Sequence, residues 1–429
     1  MKKKVLACFC LALVCFCGCS KPPQAADRIT VWHWMTDRDE AFQELAKKYE
    51  AQTGVNVVFE LYAQSDVYSQ KVVAAAQARI LPDIFGILDK KYVVATFIEN
   101  GFVADLTAEF KKDGGAWEKS FFPKALGVNS FSDGNSYNVK PGIYGVPIDV
   151  TNIQMVYNRA LLKKAGIERP PRTIPEFLAD IKALKQAGIE GLVSGWGEMW
   201  LIDCFALNYA FNIMGEDKVM ATFRGEIPYT DPAWIEVFNV FVTLREEKAL
   251  ANGIVTKVNK DAEQDFALGR NAFAFNGSWC VNVYREMNPD LDYGVMLPPK
   301  VNLNRAMPIF GGAGSSFVVN SRSQNQEKAI AFLKWLTAKE QQIYLAAATR
   351  NLPANREAIQ AIPKVLEEFA SAMDETTHPT IWSHNEDPVV SEVFDKGLQA
   401  IIIGEKTPEQ VAVDVQKAKT RQRTRAGRK

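Results

Sequence analysis

Hydrophobic positions in residues 28–88 alternate between a strand-like period and a helical one. Residues 28–34 and 55–61 are rich in β-branched and aromatic side chains, while residues 39–50 and 66–79 repeat apolar positions at helical spacing. A further apolar run at 82–88 predicts a third strand. This β-α-β-α-β order predicts an α/β fold with a mostly parallel sheet, covered by helices on both faces.

The same patterns continue through the rest of the chain. Further strands are predicted at 145–156, 272–275, 293–297 and 316–319. Helix starts are indicated by Thr173, Thr407 and Ser323, each with Glu or Gln three residues later, and by Asp231 before Pro232. The chain therefore reads as a series of strands and capped helices without an internal repeat.

The first eighteen residues form a separate kind of segment. Residues 1–4 carry three lysines and residues 5–18 are apolar, a stretch of about 21 Å as a helix, short of the ~30 Å hydrocarbon core of a membrane. An export signal fits this better than a spanning helix. Gly18 before Cys19 resembles a bacterial lipobox, which implies that Cys19 carries lipid such as palmitate and that residues 19–27 are a tether. Secretion with cleavage near Ala25 and Ala26 is the alternative.

Composition excludes several classes of protein. The 429 residues carry 50 basic and 50 acidic side chains, and removal of Lys2, Lys3 and Lys4 with the signal would leave 47 basic ones. A slightly acidic exported chain has no electrostatic reason to bind nucleic acid. The length and the 47% hydrophobic content favour a soluble protein of two domains. Cys204 and Cys280, the cysteines that follow Cys19, either pair or are two buried thiols.

Sequence motifs for catalysis or cofactor binding are weak. The three histidines show no metal-binding spacing, and residues 312–316 lack the lysine of a phosphate-binding loop. No Gly-x-Ser-x-Gly elbow is present. We therefore expect no catalytic residue, no metal and no cofactor.

Aromatic residues instead stand beside polar ones at the ends of predicted strands. Three such clusters occur, at residues 32–37, 196–200 and 276–279. The carboxyl ends of strands border the ligand crevice of open α/β sheets, so the clusters are expected to converge on one cleft. Tryptophan stacks on the apolar face of a sugar ring while Asp, Glu and Asn bind its hydroxyls, which favours a carbohydrate ligand. The alternative for any one tryptophan is that it fills the core.

Beyond these clusters, a set of segments in fixed order resembles a known family. The segments are residues 29–34 (ITVWHW), 49–55 (YEAQTGV), 82–85 (PDIF), 145–148 (GVPI), 155–162 (MVYNRALL), 173–177 (TIPEF), 266–279 (FALGRNAFAFNGSW), 328–337 (KAIAFLKWLT) and 404–410 (GEKTPEQ). Together they resemble bacterial extracellular solute-binding proteins of the maltose-binding type, the sugar-binding lipoproteins of ABC importers. The likeness covers almost the whole mature chain.

The resemblance implies a periplasmic-binding-protein-like fold of two discontinuous α/β lobes with a hinged cleft between them. Lobe 1 is expected to combine residues 28–148 and 291–320, and lobe 2 residues 149–290 and 321–420, followed by a basic tail at 421–429. Chain crossings between the lobes are expected near 148–152, 288–293 and 319–322.

The family's ligand-contacting positions can be carried over to this sequence one by one. They are a turn after the first strand, a turn after the Pro-Asp-Ile strand, a site past the Val-Pro crossing, an acidic and aromatic pair, a motif tryptophan, a Gly-Gly turn and a late aromatic. The matching residues are His33, Trp34, Asp37, Asp39, Asp89, Asp149, Asn152, Glu198, Trp200, Trp279, Gly311, Gly312 and Trp382.

The function implied is capture of a sugar or oligosaccharide by hinge closure and its delivery to the permease subunits of an ABC transporter. The protein is expected to be a monomer, exported and anchored by lipid to the periplasmic or extracellular face of the cell membrane. Two alternatives remain. One is a secreted carbohydrate-active hydrolase, because paired carboxylates near aromatics also describe a glycosidase. The other is the same fold with a different solute, such as a polyamine or a phosphorylated polyol.

Overall fold

The computed structural model describes residues 27–62, 65–87, 91–135, 137, 139–373, 376–377 and 386–426. Its strands are β1 (Arg28–His33), β2 (Asn56–Leu61), β3 (Ile84–Ile87), β4 (Ser130–Phe131), β5 (Gly142–Ile143), β6 (Val146–Asn158), β7 (Glu190–Val193), β8 (Asn271–Gly277), β9 (Tyr293–Met296), β10 (Ile309–Val319), β11 (Leu352–Pro353) and β12 (Thr376–Thr377).

The helices that surround these strands are α1 (Asp39–Thr53), α2 (Ser65–Ala78), α3 (Lys91–Glu99), α4 (Thr107–Lys119), α5 (Pro123–Val128), α6 (Arg159–Lys164), α7 (Ile174–Gln186), α8 (Met199–Met214), α9 (Glu216–Arg224), α10 (Pro232–Glu246), α11 (Asn259–Ala267), α12 (Cys280–Met287), α13 (Gln326–Leu336), α14 (Lys339–Thr349), α15 (Lys364–Ser371), α16 (Pro388–Ile402) and α17 (Pro408–Ala426). A 3₁₀ helix spans Arg356–Ala361. The α/β class predicted from the sequence is confirmed.

The main sheet has the strand order β2-β1-β3-β10-β6-β8-β7. β1 is parallel to β2 and β3, and β7 is parallel to β8. β10 is antiparallel to β3 and β6, and β6 is antiparallel to β8 and β9. The predicted mostly parallel sheet is therefore wrong, and the sheet is mixed, because two long central strands run against their neighbours.

These two central strands, β6 and β10, are shared by the two halves of the molecule. Residues 146–150 of β6 pair with the later part of β10, while residues 153–158 pair with β8 and β9. The half that contains β1, β2 and β3 is called lobe 1 here, and the half that contains β7, β8 and β9 is called lobe 2. The chain therefore passes between lobes inside regular strands.

Each lobe has its own aromatic packing. In lobe 1 the rings of Phe42 and Phe59 stack with centroids 4.9 Å apart, under the helices α1 and α13. In lobe 2 the buried rings of Phe205, Trp234 and Phe241 pack between α8, α10 and β8. The helical period read from residues 39–50 is explained by this packing, since Phe42, together with the other apolar residues of that face, is buried against the sheet.

The predicted placement of residues 291–320 in lobe 1 needs correction. β9 pairs with the end of β6 that belongs to lobe 2, with Met296 opposite Met155, and Met307 is buried in the core of lobe 2. The second crossing thus lies within β10 at residues 309–313, not at 288–293. The hydrophobic pattern alone does not show this, because nearly every residue of β10 is buried.

Helices α13 and α14 also lie in a different lobe from the one predicted. Phe332 of α13 contacts Tyr49 of α1 with ring centroids 5.0 Å apart, and the Trp117 indole donates a hydrogen bond of 2.9 Å to Thr337. The chain therefore stays in lobe 1 after β10 rather than crossing at 319–322. It returns to lobe 2 before α15, where Glu368 forms an ion pair with Arg159.

The predicted helix starts are mostly observed. Thr173 accepts a hydrogen bond from the backbone of Glu176, Asp231 caps α10, and Thr407 and Gln410 bond each other reciprocally. The start predicted at Ser323 is wrong, because α13 begins at Gln326. The Ser323 hydroxyl instead bridges the backbone of Asn325 and the carboxylate of Asp83 in lobe 1.

The structure describes only part of the segments predicted at the two ends of the chain. The export signal, Cys19 and most of the tether lie outside the described residues. At the other end, residues 421–426 of the predicted basic tail are the last turns of α17, where Arg423 donates a 2.7 Å hydrogen bond to the carbonyl of Gly225. Within the described part of the chain, no helix combines the length and apolar character needed to cross a membrane.

Candidate functional site

Two tryptophans meet in lobe 2 where β7 and β8 end side by side. β7 leads through residues 194–198 into α8, which carries Trp200, and β8 leads into Trp279. Their ring centroids are 5.8 Å apart with an angle of 51° between the planes. Trp200 is 44% exposed and Trp279 is half-buried. The two indoles form a partly exposed corner, which is called the aromatic corner below.

The position of Trp279 is set by its neighbours Gly277 and Glu263. A Cβ atom at Gly277 would lie 1.9 Å from the Trp279 ring, so the indole occupies the space that a side chain would need. The indole nitrogen donates a 3.1 Å hydrogen bond to Oε1 of Glu263, a buried residue of α11. Burial raises the pKa of Glu263, while N–H donors from Asn276, Trp279 and Asn259 oppose the shift.

Trp200 is held by a second carboxylate, Glu198. The Trp200 indole nitrogen donates a 3.0 Å hydrogen bond to one oxygen of Glu198, and the backbone N–H of Asn259 donates a 2.8 Å bond to the other. Both carboxylate oxygens are therefore already engaged. Glu198 and Trp200, the acidic and aromatic pair predicted as possible ligand contacts, are therefore in contact with each other. Glu198 orients the Trp200 ring.

A second aromatic group lies in lobe 1 at the end of β1. The ring of Trp34 lies against Gly86, where an added Cβ would be 2.6 Å from the ring, and its centroid is 5.2 Å from that of Tyr68. The buried Tyr68 hydroxyl donates to the backbone carbonyls of Trp32 at 3.0 Å and Gly86 at 2.8 Å. Tyr68 is thereby bonded to both β1 and β3, and the ring pair of Trp34 and Tyr68 is called the Trp34 platform below.

The turns that carry Trp34 and Trp279 both contact the same short piece of β6. On one side, Arg38 in the turn between β1 and α1 forms an ion pair of 2.6 Å with Asp149. On the other side, the hydroxyls of Ser278 and Thr151 lie 3.1 Å apart. Asp149 and Thr151 are two positions apart and so lie on one face of the strand. The turn that follows β1 and the turn that carries Trp279 therefore flank the point where β6 passes between the lobes.

Asp37 and Asp39 lie in this first turn but differ in their surroundings. Asp37 is exposed and accepts a 3.2 Å hydrogen bond from the Asn351 amide. Asp39 begins α1 and lies 3.1 Å from the His33 ring nitrogen. Asp37 also pairs with Arg38 Nε at 3.3 Å, and it is the more exposed of the two carboxylates of this turn.

His33, predicted as a ligand contact, is a core residue. Its side chain is fully buried between the rings of Phe42 and Phe59. The His33 ring meets each of them edge-on, with ring centroids 5.2 and 5.6 Å apart. Burial lowers the pKa of His33, with Asp39 acting in the opposite direction. The prediction is wrong because alternation along β1 turns this position towards the core, away from Trp34.

Asp149 and Asn152 are likewise corrected to structural roles. Asp149 is 2% exposed, and Ser315 donates a 2.8 Å hydrogen bond to it in addition to the Arg38 ion pair. Burial raises the pKa of the Asp149 carboxyl, and the Arg38 guanidinium opposes that shift. Asn152 is fully buried and donates a 2.8 Å hydrogen bond to the carbonyl of Phe369 in α15.

The remaining predicted positions fall into two groups. Gly311 and Gly312 do not form a turn, since both lie in β10 opposite Asn152 and Thr151 of β6. A Cβ at Gly311 would be 2.4 Å from the Thr376 side chain, so this glycine allows close strand packing. Asp89 and Trp382 lie outside the described residues.

Sequence reasoning missed the residues that hold the tryptophans. Glu263 lies in an amphipathic helix, where a single glutamate carries no signal, and Gly86 lies inside a buried strand. The Asn-Gly-Ser-Trp motif contained one usable hint, because a glycine two positions before a tryptophan at a strand end can mark a close approach. Among the described residues, no cluster of three or more His, Cys, Asp or Glu side chains could hold a metal ion. Cys204 and Cys280 are both buried and are not joined to each other in a disulfide.

Replacing Gly277 by alanine tests how tightly the indole is held. The added methyl group must displace the Trp279 ring, and we expect the free energy of unfolding to fall by about 1–3 kcal/mol, as for overpacked sites. Urea unfolding and near-ultraviolet circular dichroism measure the two effects. Ser278→Ala is the control, because it removes only a neighbouring hydroxyl. Unchanged dichroism in Gly277→Ala would contradict the ring placement.

Comparison with known proteins gives consistent matches. A family model described as "Bacterial extracellular solute-binding protein" matches residues 44–373. The diacetylchitobiose binding protein of Streptomyces coelicolor is 25% identical over 373 residues, 86% of this chain and 81% of that one. The melibiose/raffinose/stachyose-binding protein of Bacillus subtilis is 21% identical over 84% of this chain and 83% of that one.

Solved structures agree at the level of the fold. A chitin oligosaccharide binding protein superposes with a TM-score of 0.77 at 21% identity, covering 92% of this chain and 98% of that one. A solute-binding protein in complex with raffinose superposes with a TM-score of 0.72 at 16% identity, covering 91% and 97%. The fold is thus that of two-lobed binding proteins, and the family resemblance read from the sequence is confirmed. Since the family model spans most of the chain, the protein belongs to the bacterial extracellular solute-binding protein family.

Proposed function

We propose that this protein captures a sugar or oligosaccharide between its two lobes and delivers it to the permease of an ABC import system. The observation that carries the proposal is that the turn after β1, which carries Trp34, and the turn that carries Trp279 both contact residues 149–151 of the shared strand β6. Strands shared between lobes act as a hinge when the lobes close on a ligand. Closure would bring the two aromatic surfaces onto one ligand.

The chemistry of these surfaces suits a neutral sugar. Trp200 is 44% exposed and Trp279 is half-buried, while Arg38, the cation of the first turn, is paired with Asp149 and Asp37. Stacking supplies apolar contact and Asp37 supplies an acceptor for hydroxyl groups. A phosphorylated polyol would need a cation free of carboxylates, and the Arg38 guanidinium in the first turn is already paired with both Asp149 and Asp37. The printed sugar ligands of several relatives support the same class.

The proposal includes the cellular setting. Export and a lipid anchor at Cys19 rest on the N-terminal sequence, and a lipoprotein relative in Streptococcus pneumoniae supports them. The permease is the partner that the family implies, and the protein acts as a monomer. Mass spectrometry of the membrane-extracted protein would reveal a diacylglyceryl group on Cys19, and a free thiol there would contradict the anchor.

A ligand screen is the most direct test. We expect at least one oligosaccharide in a panel to raise the melting temperature of the mature protein, because a ligand at 100 times its Kd stabilises the folded state by about 2.7 kcal/mol. Calorimetry then measures the Kd and the stoichiometry, expected to be one. A panel in which polyamines shift the melting temperature and sugars do not would contradict the sugar assignment.

Catalysis is not part of the proposal. The carboxylates beside the aromatic corner, Glu198 and Glu263, are both engaged by indole N–H groups, which leaves them poorly placed to act as a general acid and a nucleophile. Chromatography of the bound sugar after long incubation is expected to show no cleavage. Cleavage at a steady rate would favour the hydrolase instead.

A further inference from the structure

The carboxylate of Glu263 collects an unusual set of donors on one oxygen. Its Oε1 accepts hydrogen bonds from Asn259 Nδ2 at 2.9 Å, Asn276 Nδ2 at 3.0 Å and Trp279 Nε1 at 3.1 Å. The residue is 6% exposed, so these bonds replace water for the buried charge. Charge-assisted bonds of this kind are stronger than neutral ones and restrict geometry more tightly.

The donors connect Glu263 to both rings of the aromatic corner. Trp279 is bound directly. Trp200 is bound through Glu198, whose second oxygen accepts from the backbone N–H of Asn259, the residue whose side-chain amide binds Glu263. Asn259 is therefore a single link between two carboxylates, each of which holds one indole by its N–H group.

We propose that Glu263 is a positioning residue of the ligand site, which sets the angle between Trp200 and Trp279 without contacting the ligand. This inference rests on the proposed function, since it assumes that the aromatic corner receives the sugar. The indole of Trp279 has two further constraints, the close approach of Gly277 to its ring and the place of Trp279 as the N-cap residue of α12. Glu263 adds a rotational constraint, because the hydrogen bond to Nε1 fixes rotation of the ring about its Cβ–Cγ bond.

Two substitutions separate positioning from mere stability. Glu263→Met removes the acceptor and leaves three donors without a partner, whereas Glu263→Gln retains one acceptor oxygen of nearly the same shape. The control is Asp265→Asn on the same helix, whose carboxylate pairs with Lys257 and Arg270 and does not touch an indole. We expect Asp265→Asn to lower the melting temperature only.

The first readout needs no ligand. Two indoles this close give an exciton couplet in circular dichroism that depends on their mutual angle. We expect Glu263→Met to lose or invert the couplet, Glu263→Gln to retain it in reduced form, and Asp265→Asn to leave it as in the wild type. A wild-type couplet in a folded Glu263→Met variant would overturn the proposal.

The second readout is affinity, measured by calorimetry with diacetylchitobiose, raffinose and maltotriose as probes. For a probe that binds the wild type, we expect Glu263→Met to raise the Kd about tenfold and Glu263→Gln about threefold. If Glu263 acts through the Trp279 N–H, Glu263→Gln has no further effect on Kd in a Trp279→Phe background. Additive losses in that cycle would overturn the proposal, even if Glu263→Met fails to fold. If none of the three probes binds the wild type, the couplet still decides the role of Glu263, and the panel described above decides the function.

Discussion

Replacing Asp149 by alanine is expected to lower the free energy of unfolding by about 3–5 kcal/mol, the cost of leaving one partner of a buried ion pair without its counter-charge. Arg38 is itself buried and directs its guanidinium at Asp149 at 2.6 Å and at the Ser315 hydroxyl at 2.7 Å. Loss of the buried carboxylate leaves that cation with only the exposed Asp37, 3.3 Å from its Nε, as a counter-charge. Urea unfolding followed by far-ultraviolet circular dichroism measures the change.

Two control variants test whether the loss of stability in Asp149→Ala comes from the buried ion pair. Arg38→Met in the Asp149→Ala background removes both charges, and we expect it to recover a large part of the lost stability, since apolar replacement of a buried pair is often tolerated. Glu44→Ala breaks the exposed pair between Glu44 and Lys47 at 2.6 Å and is expected to have no measurable effect. An Asp149→Ala variant as stable as the wild type would show that the ion pair is not needed at the crossing.

The second large effect is expected at Trp279. Trp279→Ala removes one wall of the aromatic corner, and we expect the Kd for the best sugar of the panel to rise tenfold or more, a loss of about 1.4 kcal/mol or more. The effect should appear mainly in the dissociation rate, as for most changes within one binding site. Calorimetry and stopped-flow fluorescence measure the two quantities.

Trp335→Ala is the matched control for this change. Trp335 lies in α13 of lobe 1, packs on Tyr49 and donates a 2.8 Å hydrogen bond to Gln52, away from the aromatic corner. Its removal is expected to reduce stability and to leave the Kd unchanged. Equal Kd values for Trp279→Ala and the wild type would remove Trp279 from the ligand site.

The fold was predictable where the signal is local. The strand and helix periods around Phe42 and Tyr49, the cap at Thr173 and the reciprocal cap at Thr407 depend on residues within one or two turns of each other. Each of these patterns reflects which side chains one segment buries and which hydrogen bonds it forms with residues close to it along the chain. The family resemblance added the order of these segments, and from it the two-lobed architecture.

The candidate site was predictable only in part. Trp200, Trp279 and Glu198 were identified because aromatic and acidic residues stand beside each other at strand ends. Asp149 was misjudged for the opposite reason, since its partner Arg38 is 111 positions away and nothing local distinguishes a carboxylate that meets a cation from one that meets a ligand. His33 was misjudged because one step along a strand reverses the face of a side chain.

The sequence by itself determined the class of fold, the family, the positions of most strands and helices, and the residue types that suit a sugar. Only the tertiary structure decided the lobe to which α13 and α14 belong, the crossing within β10, and the roles of Asp149, Asn152 and Glu263. The physical reason is that periodicity and capping are set by neighbours along the chain. Burial, ion pairing and the close contact of an indole with a glycine are set by elements that meet only after the strands have paired.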